Sequence, residues 1–335
     1  MKKTLVILTL LLSTSNLVKA QDPHFSQFFA SPLTLNPALT GRFDGTLRVA
    51  GNYRNQWPAF NNVYTTYTAS VDFGIMKNNL PDNDTWGIGI MALNDEAGGG
   101  VLKNTYLGLS TSYHKSLDED GFQQLGIGFQ GTYGQKRLNT LNLKFEDMLT
   151  PFGFTGITSD IFLNDNLNIN YLDLNAGIIY TSSTSEDNNF YIGASMYHIN
   201  RPKESFKGGS WNVSTRTTLN AGGYFPVSDV LTLNLSGIHQ IQNKTSETVV
   251  GGALSAAIDP ESENPSNVYF GSWYRFKDAL IPYIGLEFGG MRIGASYDIN
   301  ISSLKTGSQS RGGMEISLIY IKRPAGFKGI PCPKF

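Results

Sequence analysis

Val63-Tyr64-Thr65-Thr66-Tyr67-Thr68-Ala69-Ser70-Val71-Asp72-Phe73-Gly74-Ile75 is the stretch that decides the fold. Val63, Thr65, Tyr67, Ala69, Val71, Phe73 and Ile75 share one face, and Tyr64, Thr66, Thr68, Ser70, Asp72 and Gly74 share the other. A period of two over this length marks a β-strand, because successive side chains point to opposite faces. Leu231-Thr232-Leu233-Asn234-Leu235-Ser236 repeats the pattern, with three leucines opposite Thr, Asn and Ser.

Working outward, fourteen such segments are expected at 46–56, 62–75, 84–93, 103–116, 121–135, 171–182, 187–199, 213–225, 229–241, 246–258, 267–277, 280–288, 291–299 and 311–322. The segment 246–258 alternates least, because Val249 to Ala257 is rich in small residues. Many segments exceed the ~5–6 residues of a soluble strand and reach the ~9–11 needed to cross a bilayer. One face of each is small and uncharged, such as Gly126, Gly128, Gln130 and Thr132. A closed barrel is therefore expected over a soluble sandwich, since lipid leaves no edge unpaired. An even strand count puts both ends of the barrel chain on one side. The longest connections, 136–170, 200–212 and 300–310, then all fall on the other. Tyr53, Trp57, Phe60, Tyr106, Tyr113, Tyr180, Tyr197, Tyr224, Trp273, Tyr297 and Tyr320 lie near strand ends, where interfacial girdles sit.

Composition narrows the classes. Among 335 residues only 16% are charged, against about 25% in an average soluble domain. Glycine is high at 36, hydrophobic residues are 40%, and the formal net charge is −1, which does not suggest nucleic-acid binding. A mean hydropathy of −0.18 argues against several membrane helices. The single cysteine excludes an internal disulfide framework. The remaining charges are expected in turns, loops and the tail, as in Asp118-Glu119-Asp120 and Lys203-Glu204, with a lumen of Gly, Ser, Thr, Asn and Gln.

The division along the chain is a signal peptide over 1–20, an N-terminal plug or periplasmic segment over 21–45, the barrel over 46–322 and a periplasmic tail over 323–335. Lys2 and Lys3, the apolar run Thr4 to Leu12 and Val18-Lys19-Ala20 predict cleavage after Ala20. Gln21 follows the cut, so lipoprotein processing is not expected. Pro23, Pro32 and Pro37 forbid a continuous helix or ladder over 21–45. Phe25, Phe28, Phe29, Leu33, Leu35 and Leu39 between them need a docking surface: the lumen, the periplasmic mouth or a partner.

Residues 21–41 contain Asp22, Pro23, Phe25, Ser26 and Gln27, then Pro32, Leu33, Asn36, Pro37, Ala38 and Gly41. This resembles the PorP/SprF family of type IX secretion outer-membrane proteins of Bacteroidetes. Tyr53-Arg54-Asn55-Gln56-Trp57-Pro58, Tyr274 to Ala279, Ser296 to Asn300 and Gly313 to Tyr320 are also similar to the family. So is the ending Cys332-Pro333-Lys334-Phe335, with Lys334 departing from the family's arginine. The resemblance implies a non-enzymatic outer-membrane barrel that supports export or surface attachment of secreted proteins. Its partners would be outer-membrane lipid and either a periplasmic ring lipoprotein or a dedicated adhesin, including those of gliding motility. Candidate partner-binding residues are Asp22, Pro23, Phe25, Ser26, Gln27, Asn36, Pro37, Gly41, Cys332 and Phe335. Cys332 reads either as a thiol for intermolecular pairing or as an inert one in a Pro-Cys-Pro turn.

A barrel that transports small hydrophobic solutes is the alternative. For catalysis, His24, His114, His198 and His239 are isolated in sequence. Ser236 and His239 face opposite sides of one strand, whereas Ser112 and His114 share a face. No cofactor or metal is expected: Asp82-Asn83-Asp84 and Asp118 to Gly121 lack a calcium-loop pattern, and Gly98-Gly99-Gly100 lacks a phosphate-binding one. The loop 136–170, with Asn139, Asn142, Asn164, Asn166, Asn168, Asn170, Phe145, Phe152, Phe154 and Phe162, is either a variable decoration or a contact for exported protein.

Overall fold

A computed structural model describes residues 22–323, apart from 61–63, 77–78, 141–142, 160–165, 186–187, 207–208, 210 and 261–265. The signal-peptide reading and the tail residues Cys332 and Phe335 lie outside the described residues. Fourteen antiparallel strands close into one barrel. They are β1 (Leu47–Gln56), β2 (Tyr64–Ile75), β3 (Thr85–Ala97), β4 (Leu102–Ser116), β5 (Gln123–Asn139), β6 (Asn166–Ser183) and β7 (Asn189–Tyr197). There follow β8 (Arg216–Ser228), β9 (Leu231–Gln242), β10 (Thr245–Ala257), β11 (Asn267–Arg275), β12 (Ala279–Phe288), β13 (Met291–Asn300) and β14 (Arg311–Lys322). Neighbours in sequence pair all the way round. The ring closes where β1 meets β14, from Leu47 opposite Lys322 to Gln56 opposite Gly313. We call the end where β1 begins and β14 finishes the base, and the opposite end the far rim.

Alternation located every strand, and the ends moved where outward residues are polar. β5 and β6 stay paired through Lys136 opposite Ile169 to Asn139 opposite Asn166, so Asn139, Asn166, Asn168 and Asn170 lie on strands. Asn139, Asn168 and Asn170 take outward positions and Leu138, Leu167 and Ile169 inward ones, so the apolar–polar contrast is inverted while the backbone ladder continues. At ~3.3 Å per residue β5 is about 56 Å long, against an apolar band of ~25 Å. The β5–β6 ribbon therefore rises past the band at the far rim. The intervening loop carries a small hairpin, Leu149–Thr150 with Gly153–Phe154, on which Phe152 is fully exposed.

Outward positions are apolar and open, including Ile90, Leu107, Leu109, Phe129, Leu172, Leu174 and Phe270, each more than half exposed. In water such a belt would be costly; against lipid it is the stable arrangement. Tyr113, Tyr297 and Tyr320 are exposed as a girdle requires. Tyr197 and Trp273 are instead buried, and with Tyr106 and Tyr224 they face cavities inside the barrel. These four fill the interior, so nearness to a strand end did not decide their face.

β10 explains its weak alternation. Val249 and Ala253 are buried in a core with Phe28, Leu35, Ala38 and Leu39 of the N-terminal segment, so both faces of that strand are apolar. Each such side chain contributes about 1.5–3 kcal/mol when fully buried.

Candidate functional site: the occupied lumen

Residues 22–45 run through the interior from the far rim to the base. The prolines cut this segment into short turns, with Phe28–Ala30, Pro32–Leu35 and Pro37–Leu39 each lasting about one turn. Pro32 and Pro37 open the second and third, where a missing N–H costs nothing. Asn36 caps the third, its Oδ1 accepting from Ala38 N at 2.9 Å.

The segment starts beside Gln242, the last residue of β9. Asp22 N donates to Gln242 Oε1 (2.8 Å) and Asp22 Oδ1 accepts from Gln242 Nε2 (2.9 Å). Asp22 Oδ2 also meets His198 Nε2 at 2.7 Å and Arg216 Nη1 at 3.3 Å. His198 follows β7 and forms a second ion pair with Asp173 at 2.9 Å. Burial opposes the carboxylate, but His198 and Arg216 hold Asp22 well below the ordinary range. Burial likewise opposes the imidazolium, yet Asp22 and Asp173 prevail and push His198 up to about 9.

Ser26 is the next anchor. Its Oγ donates to Asp298 Oδ1 (2.7 Å) and accepts from Arg275 Nη2 (2.6 Å) and from Arg54 Nη1. Ser26 N and Gln27 N donate to the two oxygens of Glu315, at 2.8 and 2.9 Å. Arg54 also bonds Asp298 (2.8 Å) and Glu315 (3.0 Å), and Arg275 bonds Asp298 (2.8 Å). Arg54, Asp298 and Glu315 are almost wholly buried. Taking these ions from water is costly, and only this mutual saturation makes it tolerable. Phe29 then stacks on Trp273 at 4.8 Å and meets Tyr283 edge-on at 5.5 Å.

Lower down, wall side chains take hold of the segment's carbonyls. Leu33 O accepts from Gln130 Nε2 (3.1 Å) and Tyr197 OH (3.0 Å). Thr34 O accepts from Arg216 Nη2 (3.1 Å), and Leu35 O from Ser195 Oγ (2.7 Å). Leu39 O accepts from Arg48 Nη2 (2.9 Å), and Thr40 O from Ser112 Oγ (2.5 Å). Asn36 Nδ2 reaches Ile178 O at 3.2 Å and Asn220 Oδ1 at 3.3 Å. Near the base, Gly41 N donates to Asp72 Oδ2 (2.7 Å), and Asp72 is clasped by Arg48 at 3.0 and 2.7 Å.

Glycine makes the close approach possible. A Cβ at Gly128 would collide with the carbonyl carbon of Pro37 and with Ala38 N; one at Gly177 would collide with Asn36 Oδ1. Gly41 has φ +68°, a left-handed turn at which the segment bends toward the base.

With this geometry in hand, the family model described as type IX secretion system membrane protein PorP/SprF matches residues 17–320. The chain belongs to the PorP/SprF family. Among solved structures, a deletion mutant of TodX, described as a monoaromatic hydrocarbon channel, is similar at 9% identity. The match covers 87% of this chain and 94% of that one, with a TM-score of 0.50. The CymD monoaromatic hydrocarbon channel matches at 9% identity over 88% and 93% of the two chains, TM-score 0.49. The Pseudomonas putida toluene transporter TodX matches at 7% identity over 90% and 94%, TM-score 0.47. At these identities the first likeness shows the fold alone, that of an outer-membrane barrel. No curated protein matches the chain in sequence.

The structure draws the family's opening motif together with its strand motifs. Ser26 and Gln27 of the first meet Arg54, Arg275, Asp298 and Glu315 of the others. Phe25, Ser26, Gln27, Asn36 and Pro37 are buried against the wall, so no outside partner reaches them in this arrangement. Asp22 and Pro23 are partly exposed at the far rim. The expectation of an uncharged lumen is also corrected: Arg48, Asp72, Arg54, Asp298, Glu315, Asp173 and Arg275 all line it. The available signal was a charge inside an otherwise uncharged alternating strand.

Ser112 Oγ and His114 Nε2 do meet, at 3.1 Å. Ser112, however, gives its proton to Thr40 O, which makes the histidine the donor to Oγ. A histidine in that role does not act as a base toward the serine. Ser236 accepts from Trp273 Nε1 (3.0 Å) while His239 pairs with Thr248 (2.8 Å), so that couple stays apart. Among the described residues no group of three or more His, Cys, Asp or Glu side chains is placed to hold a metal.

Proposed function

We propose that the protein is a non-enzymatic outer-membrane part of the type IX secretion system that supports export or surface attachment of secreted proteins, with its two rims as contact surfaces. One observation carries this reading: a family member's lumen is occupied by its own chain through bonds to the wall on all sides. A barrel filled in this way serves as a scaffold, and while the segment is seated its ends are the surfaces that partners reach. The base faces the periplasm, where a ring lipoprotein is the expected neighbour. The far rim faces outward and offers exposed Leu149, Phe152, Phe154 and Ile157 to exported protein. Cys332, in the sequence that follows β14, is a further partner candidate.

The alternative, a hydrophobic-solute channel as in the proteins of similar fold, is disfavoured by the buried ions around Ser26. Deletion of the gene followed by analysis of secreted proteins, with cross-linked pull-down from membranes, tests the proposal. Loss of a secreted protein and capture of secretion components is expected. Unchanged secretion with loss of aromatic-hydrocarbon uptake would overturn it.

A further inference from the structure

The wall holds residues 22–45 largely through main-chain atoms. Gln130, Tyr197, Arg216, Ser195, Arg48 and Ser112 donate to the carbonyls of Leu33, Thr34, Leu35, Leu39 and Thr40. Glu315 and Asp72 accept amides of Ser26, Gln27 and Gly41. Residues 28–39 lie in three short turns, so this main-chain bonding favours a segment of that shape with limited dependence on sequence, and side-chain pockets add selectivity. Here the pockets are few: the Ser26 cluster, the Phe29 stack and the glycine floor under Asn36 and Pro37. The short turns leave most of these main-chain groups without partners of their own, and buried main-chain groups need them, so the wall supplies donors and acceptors in the manner of a peptide-binding site.

We infer that the lumen is a binding site for a polypeptide segment held by its main chain, occupied in cis by residues 22–45 and open to a turn-forming segment of the same shape from a second polypeptide when residues 22–45 withdraw. The link to β1 lies at the base, after Gly45, and Asp22 lies at the far rim, where the expected cleavage after Ala20 would leave the segment a free end. Withdrawal thus proceeds toward the base without breaking the barrel. The inference goes beyond the export role and stands or falls without it.

The test uses the full-length protein in detergent and a fluorophore-labelled peptide of residues 22–41, read by anisotropy. The tethered segment competes at high effective concentration, so the wild type binds the peptide poorly. Asn36→Ala in the protein removes bonds that the peptide keeps, and should raise peptide affinity at least ~10-fold. Phe29→Ala is a second weakened variant should the first not fold, folding being judged by heat-modifiable gel mobility. Thr40 Oγ1 lies 2.9 Å from Ser110 Oγ. A Thr40→Cys, Ser110→Cys disulfide should therefore abolish binding, and reduction should restore it. The all-D peptide of the same sequence should bind at least ~10-fold more weakly, because its carbonyls no longer meet the wall donors. Equal binding by wild-type, weakened and locked proteins, or equal binding of the D-peptide, places the site outside the lumen and overturns the inference. So does no binding to a folded weakened variant.

Discussion

The two ends of the lumen segment are held by different physics. At the far rim, Asp22 and Ser26 sit among ions, and the anchor is electrostatic. Toward the base, Asn36 to Gly41 rest on glycines beside a single buried ion pair, Arg48–Asp72, so close steric fit is added to charge. A segment fixed in this way can loosen at one end while the other stays seated.

Breaking the charged end has the largest expected effect. Arg54→Ala leaves Asp298 and Glu315 buried with fewer partners and should cost about 3–5 kcal/mol, read as a lower urea midpoint of barrel unfolding. An unchanged midpoint would mean that the network is not a stabilising anchor. Next comes the steric end: Gly128→Ala forces a methyl into Pro37 and should cost about 1–3 kcal/mol. Gly131→Ala, on the same strand with open space around it, is the control and should be near neutral by the same measurement. Equal effects at the two glycines would break the contrast. Ser195→Ala removes the donor to Leu35 O and should cost about 1–2 kcal/mol in thermal unfolding.

The smallest effect is one of pH. His198 has its value raised to about 9, so its contribution is complete below the unfolded value of ~6.5 and is lost as pH rises through 9. Asp22 is depressed, so its contribution is complete above ~3.9 and is lost in acid. Cysteine labelling of Asp22→Cys would remove the anchor it reports on, so Pro23→Cys is the better probe. Labelling should rise at both pH extremes, while a cysteine at Thr40 stays protected. A flat profile at Pro23→Cys would show that the far-rim anchor does not titrate.

Strand positions were legible because alternation survives wherever one face meets lipid. It faded in β10, where both faces are apolar, and it changed phase at Gln135 to Asn139 and Asn166 to Asn170, where polar residues take the outward positions and Leu138, Leu167 and Ile169 the inward ones. The lumen site was legible only as motifs. Nothing local connects Ser26 to Asp298 or Arg54 to Glu315; barrel closure alone brings such distant positions together. Prolines at 23, 32 and 37 announced that the segment would not be regular, but not which way it would run. The inward tyrosines and tryptophan were misassigned because an aromatic at a strand end suits either face.

The seam between β1 and β14 gives the assembly an order. Residues 22–45 precede the first strand, yet they touch strands on every side of the ring, and that ring is complete only when the last strand arrives. The segment is therefore already in place, or passing through, when the seam zips. The finished barrel is wrapped around its own beginning, and a nascent chain stalled before β14 would still expose the segment's phenylalanines to chaperones.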